Sequence, residues 1–365
     1  MSDRCAARRD ALRASLPQDD VDAYLIAHRQ NVGYLTDFRG TDANLLLTRD
    51  RAVILSDGRY TAQLTLECPD IDHHVRAVDE RMAQAIAGVL TKIGAGSVGF
   101  EAGATSVAQF EDLRALAPTL SWRPIRSRVE DLRAIKDDSE LAGIREAIFY
   151  AETAFLDVLI TTDLGQTEKE VADTLEMRMR RRGAFGSSFP PIVAVGANAA
   201  LPHYGPSDEE RLGDGDFVLV DWGATGRPYK SDLTRVVVTG NVTPRFEEVY
   251  RAVLAAQERA LAAIRPGVTG GEVDAAARAA LDEAGLGAYF HHGLGHGIGR
   301  EVHEAPAIRR GSETVLRPGM VVTIEPGVYL PGWGGIRIED DVLITPDGID
   351  VLTQLPKGLD TLRVR

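Results

Sequence analysis

Residues 291–304 form a histidine-rich segment, HHGLGHGIGREVHE, which contains four of the eight histidines of the chain. Four glycines at alternate positions interrupt the segment, and each would cost a helix about 1 kcal/mol relative to alanine. The segment also differs from the H-E-x-x-H helix of zinc proteases, because His303-Glu304 is followed by Ala-Pro-Ala. We therefore expect an extended or looped segment whose histidines find partners elsewhere in the chain.

Residues 217–240 place two carboxylates where charges of the same sign should repel. Two strand-like runs flank turn residues, and a hairpin centred on Gly226-Arg227 would put Asp221 directly opposite Asp232. Opposed side chains have Cβ atoms ~5 Å apart, so like charges destabilise the pair. Burial among valines and leucines increases that cost. A polar, exposed hairpin would avoid the conflict but fits these apolar flanks poorly, whereas a bound cation removes it.

Residues 321–345 repeat this arrangement. A hairpin centred on Gly332 would pair Glu325 with Glu339, although its longer turn could contain a bulge. Four carboxylates with a histidine suit Mn, Fe, Co or Zn, and carboxylates can bridge two ions ~3.5–4 Å apart. The sequence therefore predicts a metal site that one histidine of residues 291–304 completes, while the others face the substrate.

The elements that position these residues follow from the spacing of apolar residues. The C-terminal ~230 residues predict one α+β domain, with helices packed on an antiparallel sheet. Its helices are expected at 141–159, 167–183, 245–264 and 269–285. The first ~130 residues predict a small α/β domain, with strands at 22–27, 44–48, 51–56, 97–102 and 120–125 and helices at 3–15, 79–93 and 105–116.

For two further segments the sequence predicts no functional site. The charged residues 127–140 are expected to be a connector between the domains, and His73 and His74 are interpreted as part of a solvated loop.

Length and composition limit the classes of protein that remain. The 365 residues suit two domains, expected at 1–130 and 131–365. The net charge of −13 argues against nucleic-acid binding. No apolar run approaches the roughly 20 residues of a membrane span, and the charged N-terminus is not typical of a signal peptide. The 2 cysteines exclude a disulfide framework, so a cytoplasmic protein is expected.

The segments VDWGA, SDLTR, GHGIG, TIEPG and IRIEDD resemble the five-ligand signature of the M24 metallopeptidases. The resemblance covers the C-terminal domain almost end to end. It implies the pita-bread fold and two divalent metal ions per chain, manganese first and cobalt or zinc as alternatives. The implied ligands are Asp221, Asp232, His296, Glu325 and Glu339.

The N-terminal domain resembles that of aminopeptidase P, prolidase and creatinase, through NVGYLTDFRGTDANLLLT and LSDGRYTAQ. Methionine aminopeptidases lack this domain. Creatinase and the non-catalytic relatives lack the metal set, so the five ligands argue against both.

The resemblance also implies roles for residues around the metals. His292 and His303 would contact the substrate, with His303 bonding its carbonyl or the tetrahedral intermediate, and His203 would line the proline pocket. Tyr329 and Arg337 would support the ligands. His291 is expected to pack or to face solvent rather than to take part in catalysis.

The implied activity is that of a homodimeric Xaa-Pro aminopeptidase, which hydrolyses peptides with proline at position 2. Glu325 would accept the proton of the attacking water while remaining a ligand. Two alternatives stay open: a prolidase restricted to dipeptides, and a small-molecule enzyme on the same fold, such as a dimethylsulfoniopropionate-type lyase.

Several arginines bear on substrate length. Arg300 stands where the family often has leucine, and Ala307 where many members have an arginine that could bind a substrate carboxylate. Arg39, Arg309 and Arg310 are further candidates for that contact. For each arginine we favour a solvated surface charge.

Overall fold

The chain divides into two units in the computed structural model, which describes residues 2–359 and 361–364. The first unit ends at Arg133, and the second begins at Ala134. Among the described residues, no helix combines the length and the apolar composition that crossing a membrane requires.

The first unit is built on a six-stranded mixed sheet. Its strands are β1 (Ala23–Ile26), β2 (Asn44–Thr48), β3 (Ala52–Asp57), β4 (Asp72–Arg76), β5 (Ser97–Glu101) and β6 (Ser121–Ile125), in the order β4-β3-β2-β1-β5-β6. Its helices are α1 (Ser2–Arg13), α2 (Leu16–Asp19), α3 (Arg29–Thr36), α4 (Thr61–Glu67), α5 (Met82–Ile93), α6 (Val107–Leu116) and α7 (Arg128–Arg133). The sheet is parallel at β1-β5, β5-β6 and β3-β4. The predicted α/β class is confirmed.

One local prediction for this unit is wrong. The segment with His73 and His74 is strand β4 at the edge of the sheet rather than a loop. Its side chains are exposed or partly exposed, so it lacks the apolar alternation by which strands are recognised. The expected connector, residues 127–140, includes the boundary between the two units and contains helix α7, whose Val129 side chain is buried.

The second unit combines four helices with antiparallel strands, which confirms the predicted α+β pattern. The helices are α8 (Asp138–Thr161), α9 (Glu168–Arg182), α10 (Pro244–Ala263) and α11 (Gly270–Glu283). The strands are β7 (Gly186–Ser187), β8 (Ile192–Val195), β9 (Phe217–Trp222), β10 (Ala224–Thr225), β11 (Leu233–Val238), β12 (Gly295–Gly297), β13 (Glu304–Ile308), β14 (Val321–Ile324), β15 (Gly327–Leu330), β16 (Gly334–Arg337), β17 (Asp340–Thr345) and β18 (Gly348–Val351).

These strands form a three-stranded sheet, β11-β9-β8, and a five-stranded sheet, β13-β12-β14-β17-β18. The helices cover the sheets with apolar faces of helical spacing, as Phe246, Val249, Val253 and Ala260 do on α10. On α8, Phe155 stacks on Trp222 of β9 at 4.2 Å between ring centroids. Burial of a side chain of this size contributes roughly 1.5–3 kcal/mol.

The register of the first carboxylate hairpin differs from the prediction. Asp221 lies opposite Thr234, not opposite Asp232. The turn is centred one residue later than predicted, at Arg227-Pro228, because Thr225 pairs with Lys230 and Gly226 donates to the carbonyl of Tyr229. The error is two residues along the strand, and side chains alternate with a period of two, so both aspartates stay on one face.

The register of the second hairpin is the predicted one. Ile324 lies opposite Asp340, and Gly327 lies opposite Arg337. Glu325 and Glu339 occupy the break between these two ladders. Glu339 instead forms a bridge with Thr234 of β11, which joins the two hairpins and thereby the two main sheets.

A buried ion pair close to this junction gives a test of the fold. Asp340 accepts a hydrogen bond from Arg235 at 2.7 Å, and both side chains are almost fully buried. Asp340→Asn leaves the guanidinium without its counter-charge, so we expect a loss of about 3–5 kcal/mol in the free energy of unfolding. Urea denaturation measures it. Asp350→Asn, which removes an exposed partner of Arg145, serves as the control and should cost less than about 1 kcal/mol.

The same ion pair predicts a dependence on pH. Burial raises the pKa of Asp340, but the charges of Arg235 and Lys357 outweigh it and lower the pKa to about 2. An unfolded aspartate has a pKa of about 3.9. The stabilisation should therefore be complete above pH ~4 and decline as the pH falls towards 2. The gap between wild type and Asp340→Asn should narrow over that interval; a gap that stays constant would contradict this origin.

Candidate metal centre

The five predicted ligands lie at the ends or on short pieces of strands. Asp221 is near the end of β9, Asp232 precedes β11, and His296 is the central residue of β12. Glu325 follows β14 and Glu339 precedes β17. Because Glu339 bridges to β11, these strand ends open into one cleft.

The structure brings the five side chains together. Asp232, His296 and Glu339 each offer a ligand atom within 4.8 Å of the others. The Nε2 atom of His296 lies 3.4 Å from Oε1 of Glu325 and 3.8 Å from Oδ2 of Asp232. Asp221 joins the cluster through Arg337, which donates both to Asp221 and to the hydroxyl of Thr234. That hydroxyl contacts Glu339.

Backbone contacts fix the imidazole of His296. Its Nδ1 lies 3.1 Å from the carbonyl of Gly297, and a carbonyl only accepts, so Nδ1–H donates this bond. The Nε2 atom therefore faces the carboxylates. Glycines on both sides permit close backbone approach, since a Cβ at Gly295 would lie 1.9 Å from the Thr323 carbonyl oxygen and one at Gly297 would lie 2.1 Å from that of Ala305.

Arg337 connects the ligands to the other predicted residues. Its Nη2 donates to Asp221 Oδ2 at 2.5 Å, and its Nε donates to the hydroxyl of Thr234 at 3.0 Å. That hydroxyl in turn donates to Glu339 at 2.6 Å. The Nη1 of Arg337 donates to Tyr329 at 2.8 Å. One buried guanidinium thus orients two carboxylates and a tyrosine.

The tyrosine continues this chain to His292. The hydroxyl of Tyr329 lies 2.9 Å from Nε2 of His292, whose Nδ1 bonds to the carbonyl of Gly293. Nδ1 therefore carries the proton, and the tyrosine hydroxyl donates to Nε2. Burial raises the pKa of Tyr329 to about 12, so this hydroxyl keeps its proton at neutral pH.

Helix α11 holds the loop that carries His292. Arg278 donates to the carbonyls of Phe290 and His292, and Asp274 bonds to Arg278 at 2.7 Å and accepts from the backbone of Leu294. The loop is therefore positioned by a buried carboxylate although its own backbone is irregular.

His303 and His203 lie at the outer side of the cluster. The His303 ring lies 4.3 Å from that of His296, and its side chain is exposed. His203 is also exposed, and its charge affects the pKa of both Asp221 and His303. His291 is exposed and lies outside these contacts.

The electrostatics of the cluster show the conflict predicted from the sequence. Burial raises the pKa of Asp232 well above its usual value, and the charges of Glu339, Asp221 and Glu325 raise it further. Burial likewise raises the pKa of Glu339 well above its usual value, together with the charges of Glu325 and Asp221. Three of these four carboxylates are buried and Glu325 is partly so. Without a cation, the cluster would have to bind protons instead.

Glu325 behaves differently from the others. Burial raises its pKa, but the hydrogen bond and charge of His296, with the charges of His292 and Arg337, lower it overall. Glu325 is therefore the carboxylate best suited to remain ionised.

The donor set fits divalent metal ions. It consists of carboxylate oxygens and one imidazole nitrogen, which suit Mn, Co or Zn. The Oδ1 atom of Asp221 is buried and has no hydrogen-bond partner among the described residues, as expected of an oxygen that a cation would bind.

The sequence reasoning missed two contributors to this cleft. Thr234 joins Arg337 to Glu339, and its position opposite Asp221 was obscured by the register error. Asp341 is a further buried carboxylate, and it accepts a hydrogen bond from the backbone of Asp232 at 3.2 Å. The sequence does indicate Asp341, because it is the second acidic residue after IRIE and the rest of the strand is apolar.

The arginines that could affect the preference for substrate length differ in solvent exposure. Arg39, Arg309 and Arg310 are exposed, as favoured from the sequence. Arg300 is buried, so its interpretation as a solvated surface charge is wrong. Ala307 has only a methyl group at the position where many members have an arginine.

Residues 142–346 match the model of metallopeptidase family M24, and residues 8–135 match that of the creatinase/prolidase N-terminal domain. The chain belongs to metallopeptidase family M24. The M24 assignment confirms the pita-bread fold, the creatinase-type N-terminal domain, the divalent-metal chemistry and the peptidase class predicted from the sequence.

Three relatives show how far the similarity extends. The Xaa-Pro dipeptidase of Pyrococcus horikoshii is 35% identical over 94% of this chain and 96% of that protein. The structure of an Xaa-Pro dipeptidase from Bacillus anthracis is 36% identical, has a TM-score of 0.94 and covers 98% of this chain and 99% of that one. An X-Pro aminopeptidase structure from Thermotoga maritima is 36% identical, with a TM-score of 0.88 and coverage of 96% and 100%.

Thr234 provides a test of how the predicted ligands are held. Thr234→Val removes the hydroxyl between Arg337 and Glu339 while keeping the shape of the side chain. We expect a loss of 10–100-fold in metal affinity, typical of residues that orient ligands, and about 1–3 kcal/mol of stability, because buried polar atoms lose a partner. Titration with Mn²⁺ against a competing chelator measures the affinity.

The control is Thr161→Val on α8, an exposed residue whose hydroxyl bonds, within the described part of the chain, only to backbone carbonyls of its own helix. This variant should keep wild-type metal affinity. Equal affinity of both variants would contradict the role of Thr234.

Proposed function

We propose that this M24 enzyme is an Xaa-Pro dipeptidase, which hydrolyses the bond between an N-terminal residue and proline. The observation that carries the proposal is the convergence of the five proposed ligand side chains, with His292 and His303 beside them. The names of the relatives that match nearly the whole chain support the dipeptidase, which was the alternative in the sequence interpretation, over the aminopeptidase first expected.

The proposed ligands are Asp221, Asp232, His296, Glu325 and Glu339. When bound, two divalent ions would supply Lewis acidity and a water of lowered pKa. Manganese is the proposed metal, and cobalt and zinc are alternatives that the same donors accept.

The residues of the chain divide the remaining work. Glu325 accepts the proton of the attacking water, consistent with its lowered pKa, and returns it to the proline nitrogen as the C–N bond breaks. Partial desolvation and the charge of His296 lower the pKa of His303, so its neutral imidazole can donate to the developing oxyanion. A donor in this role typically contributes ~3 kcal/mol.

The remaining groups position the substrate. His292 faces the cleft in the orientation that Tyr329 and Arg337 impose. His203 lines the pocket for the proline ring, which has no N–H to satisfy. The free α-amino group lies against the acidic cluster, which explains trimming at the N-terminus only.

The second candidate is an Xaa-Pro aminopeptidase that accepts longer peptides. Ala307 has no charge with which to bind the carboxylate of a dipeptide, and one similar structure is that of an X-Pro aminopeptidase. A homodimer in the cytoplasm, expected from the sequence, stays a prediction that sedimentation and cell fractionation would test.

Substrate length separates these candidates. The protein would be stripped with a chelator, reloaded with Mn²⁺, Co²⁺ or Zn²⁺, and given an Xaa-Pro dipeptide and an Xaa-Pro-Xaa tripeptide in parallel. We expect metal-dependent cleavage of the dipeptide alone. Cleavage of the tripeptide would establish the aminopeptidase. No cleavage of either peptide by a protein that binds two metals would favour a small-molecule enzyme.

His303 and His291 allow a matched test of the mechanism. Both are exposed and belong to the same histidine-rich segment, but only His303 packs against His296. His303→Ala should lower kcat about 10²–10³-fold, because the oxyanion loses a donor. His291→Ala should stay within about twofold of wild type. Equal activity of the two variants would remove His303 from the mechanism.

A further inference from the structure

Glu168 is a buried carboxylate outside the metal cluster. It occupies the first position of α9, and its side chain is fully buried. Glutamate is almost never buried without partners, because desolvation of its charge is costly. Among the described residues, the hydrogen-bond partners of its side chain belong to a single segment, residues 195–207, which begins at the last residue of β8 and includes His203.

The contacts of Glu168 reach both ends of this segment. Its Oε1 accepts from the backbone N–H of Val195 at 2.7 Å and from Nδ2 of Asn198 at 3.0 Å. Its Oε2 accepts from the backbone N–H of Ser207 at 3.0 Å. One carboxylate therefore connects the two ends of the segment, Val195 and Ser207.

The middle of the segment is tied to the same group. Asn198 donates from Nδ2 to the hydroxyl of Tyr204 at 2.9 Å. Burial raises the pKa of Tyr204 to about 12, and the nearby Glu168 raises it further. Since Tyr204 directly follows His203, the contacts of Glu168 extend to the residue next to the histidine.

The opposite side of the segment packs closely against the backbone of two glycines, Gly334 and Gly335. A Cβ at Gly334 would lie 2.5 Å from the carbonyl oxygen of Gly196, and one at Gly335 would lie 2.0 Å from that of Ala199. These two glycines begin β16, the strand that ends at Arg337. The segment is therefore held between Glu168 and the strand that supports the metal ligands.

We propose that Glu168 is a positioning residue, which sets the location of His203 and thereby the affinity for the proline side of the substrate. This inference rests on the proposed function, in which His203 lines the proline pocket. Glu168 touches neither a proposed ligand nor the reacting atoms, so its effect should appear in KM more than in kcat.

The test compares Glu168→Gln, His203→Ala and the double variant, with Glu170→Gln as the control. Glu170 lies on the same helix, is exposed, and accepts from the backbone of Thr167, which glutamine can replace. Each protein is loaded with Mn²⁺, its metal content is measured, and kcat and KM are determined on an Xaa-Pro dipeptide. Hydrogen exchange of residues 196–207 is measured without substrate.

We expect Glu168→Gln to bind metal normally, to raise KM about tenfold, to keep kcat within about threefold, and to accelerate exchange in residues 196–207. The double variant should be no worse than His203→Ala alone, because both changes act through one histidine. Glu170→Gln should match wild type throughout.

Two results would overturn the proposal: wild-type KM and exchange in folded Glu168→Gln, or effects that multiply in the double variant. If Glu168→Gln fails to fold, Tyr204→Phe, which keeps the carboxylate and removes one hydroxyl, is judged by the same criteria. If wild type cleaves no Xaa-Pro peptide, the proposed function fails. The exchange measurement then still decides whether Glu168 holds the segment.

Discussion

Repulsion among carboxylates confined to one cleft is the constraint on which the rest of the second unit depends. Asp221, Asp232 and Glu339 are buried and Glu325 is partly buried, and the charges of their neighbours raise the pKa of Asp232 and Glu339 further. Arg337 is the cation that bonds directly to this group among the described residues. One guanidinium cannot balance four carboxylates, so the fold is built to be completed by metal ions.

The supporting structure supplies rigidity where the site itself has none. The histidines predicted to meet the substrate lie on irregular backbone, which by itself would not hold a side chain within the tolerance that catalysis requires. Two of these segments are held by a carboxylate buried elsewhere: Glu168 holds that of His203, and Asp274 with Arg278 holds that of His292. The third is held from within, because Glu304, which follows His303, pairs with the buried Lys136 at 2.9 Å. Charged groups in the interior therefore determine geometry at the surface of the cleft.

The sequence predicted the face on which each carboxylate lies better than its partner across the strands. A period of two identified Asp221 and Asp232 as neighbours even though the register was wrong by two residues, because such an error preserves the face. It did not find Thr234, whose role depends on that register. The helices α8 to α11 were predicted because their caps and apolar spacing are local, whereas β4 has an exposed, polar sequence and owes its conformation to pairing with β3. Glu168 lay beyond sequence reasoning altogether, because its three partners are 27 to 39 residues away along the chain.

The two glycines that flank His296 have a consequence for how this protein can change. They have no side chain to offer the metal or the substrate, yet the neighbouring carbonyls leave no space for even a methyl group at either position. A survey of tolerated substitutions would therefore mark Gly295 and Gly297 as strictly as His296, the predicted ligand between them. Such a survey detects positions where no side chain fits as well as positions where one particular side chain is required. Around His296 these two kinds of position alternate.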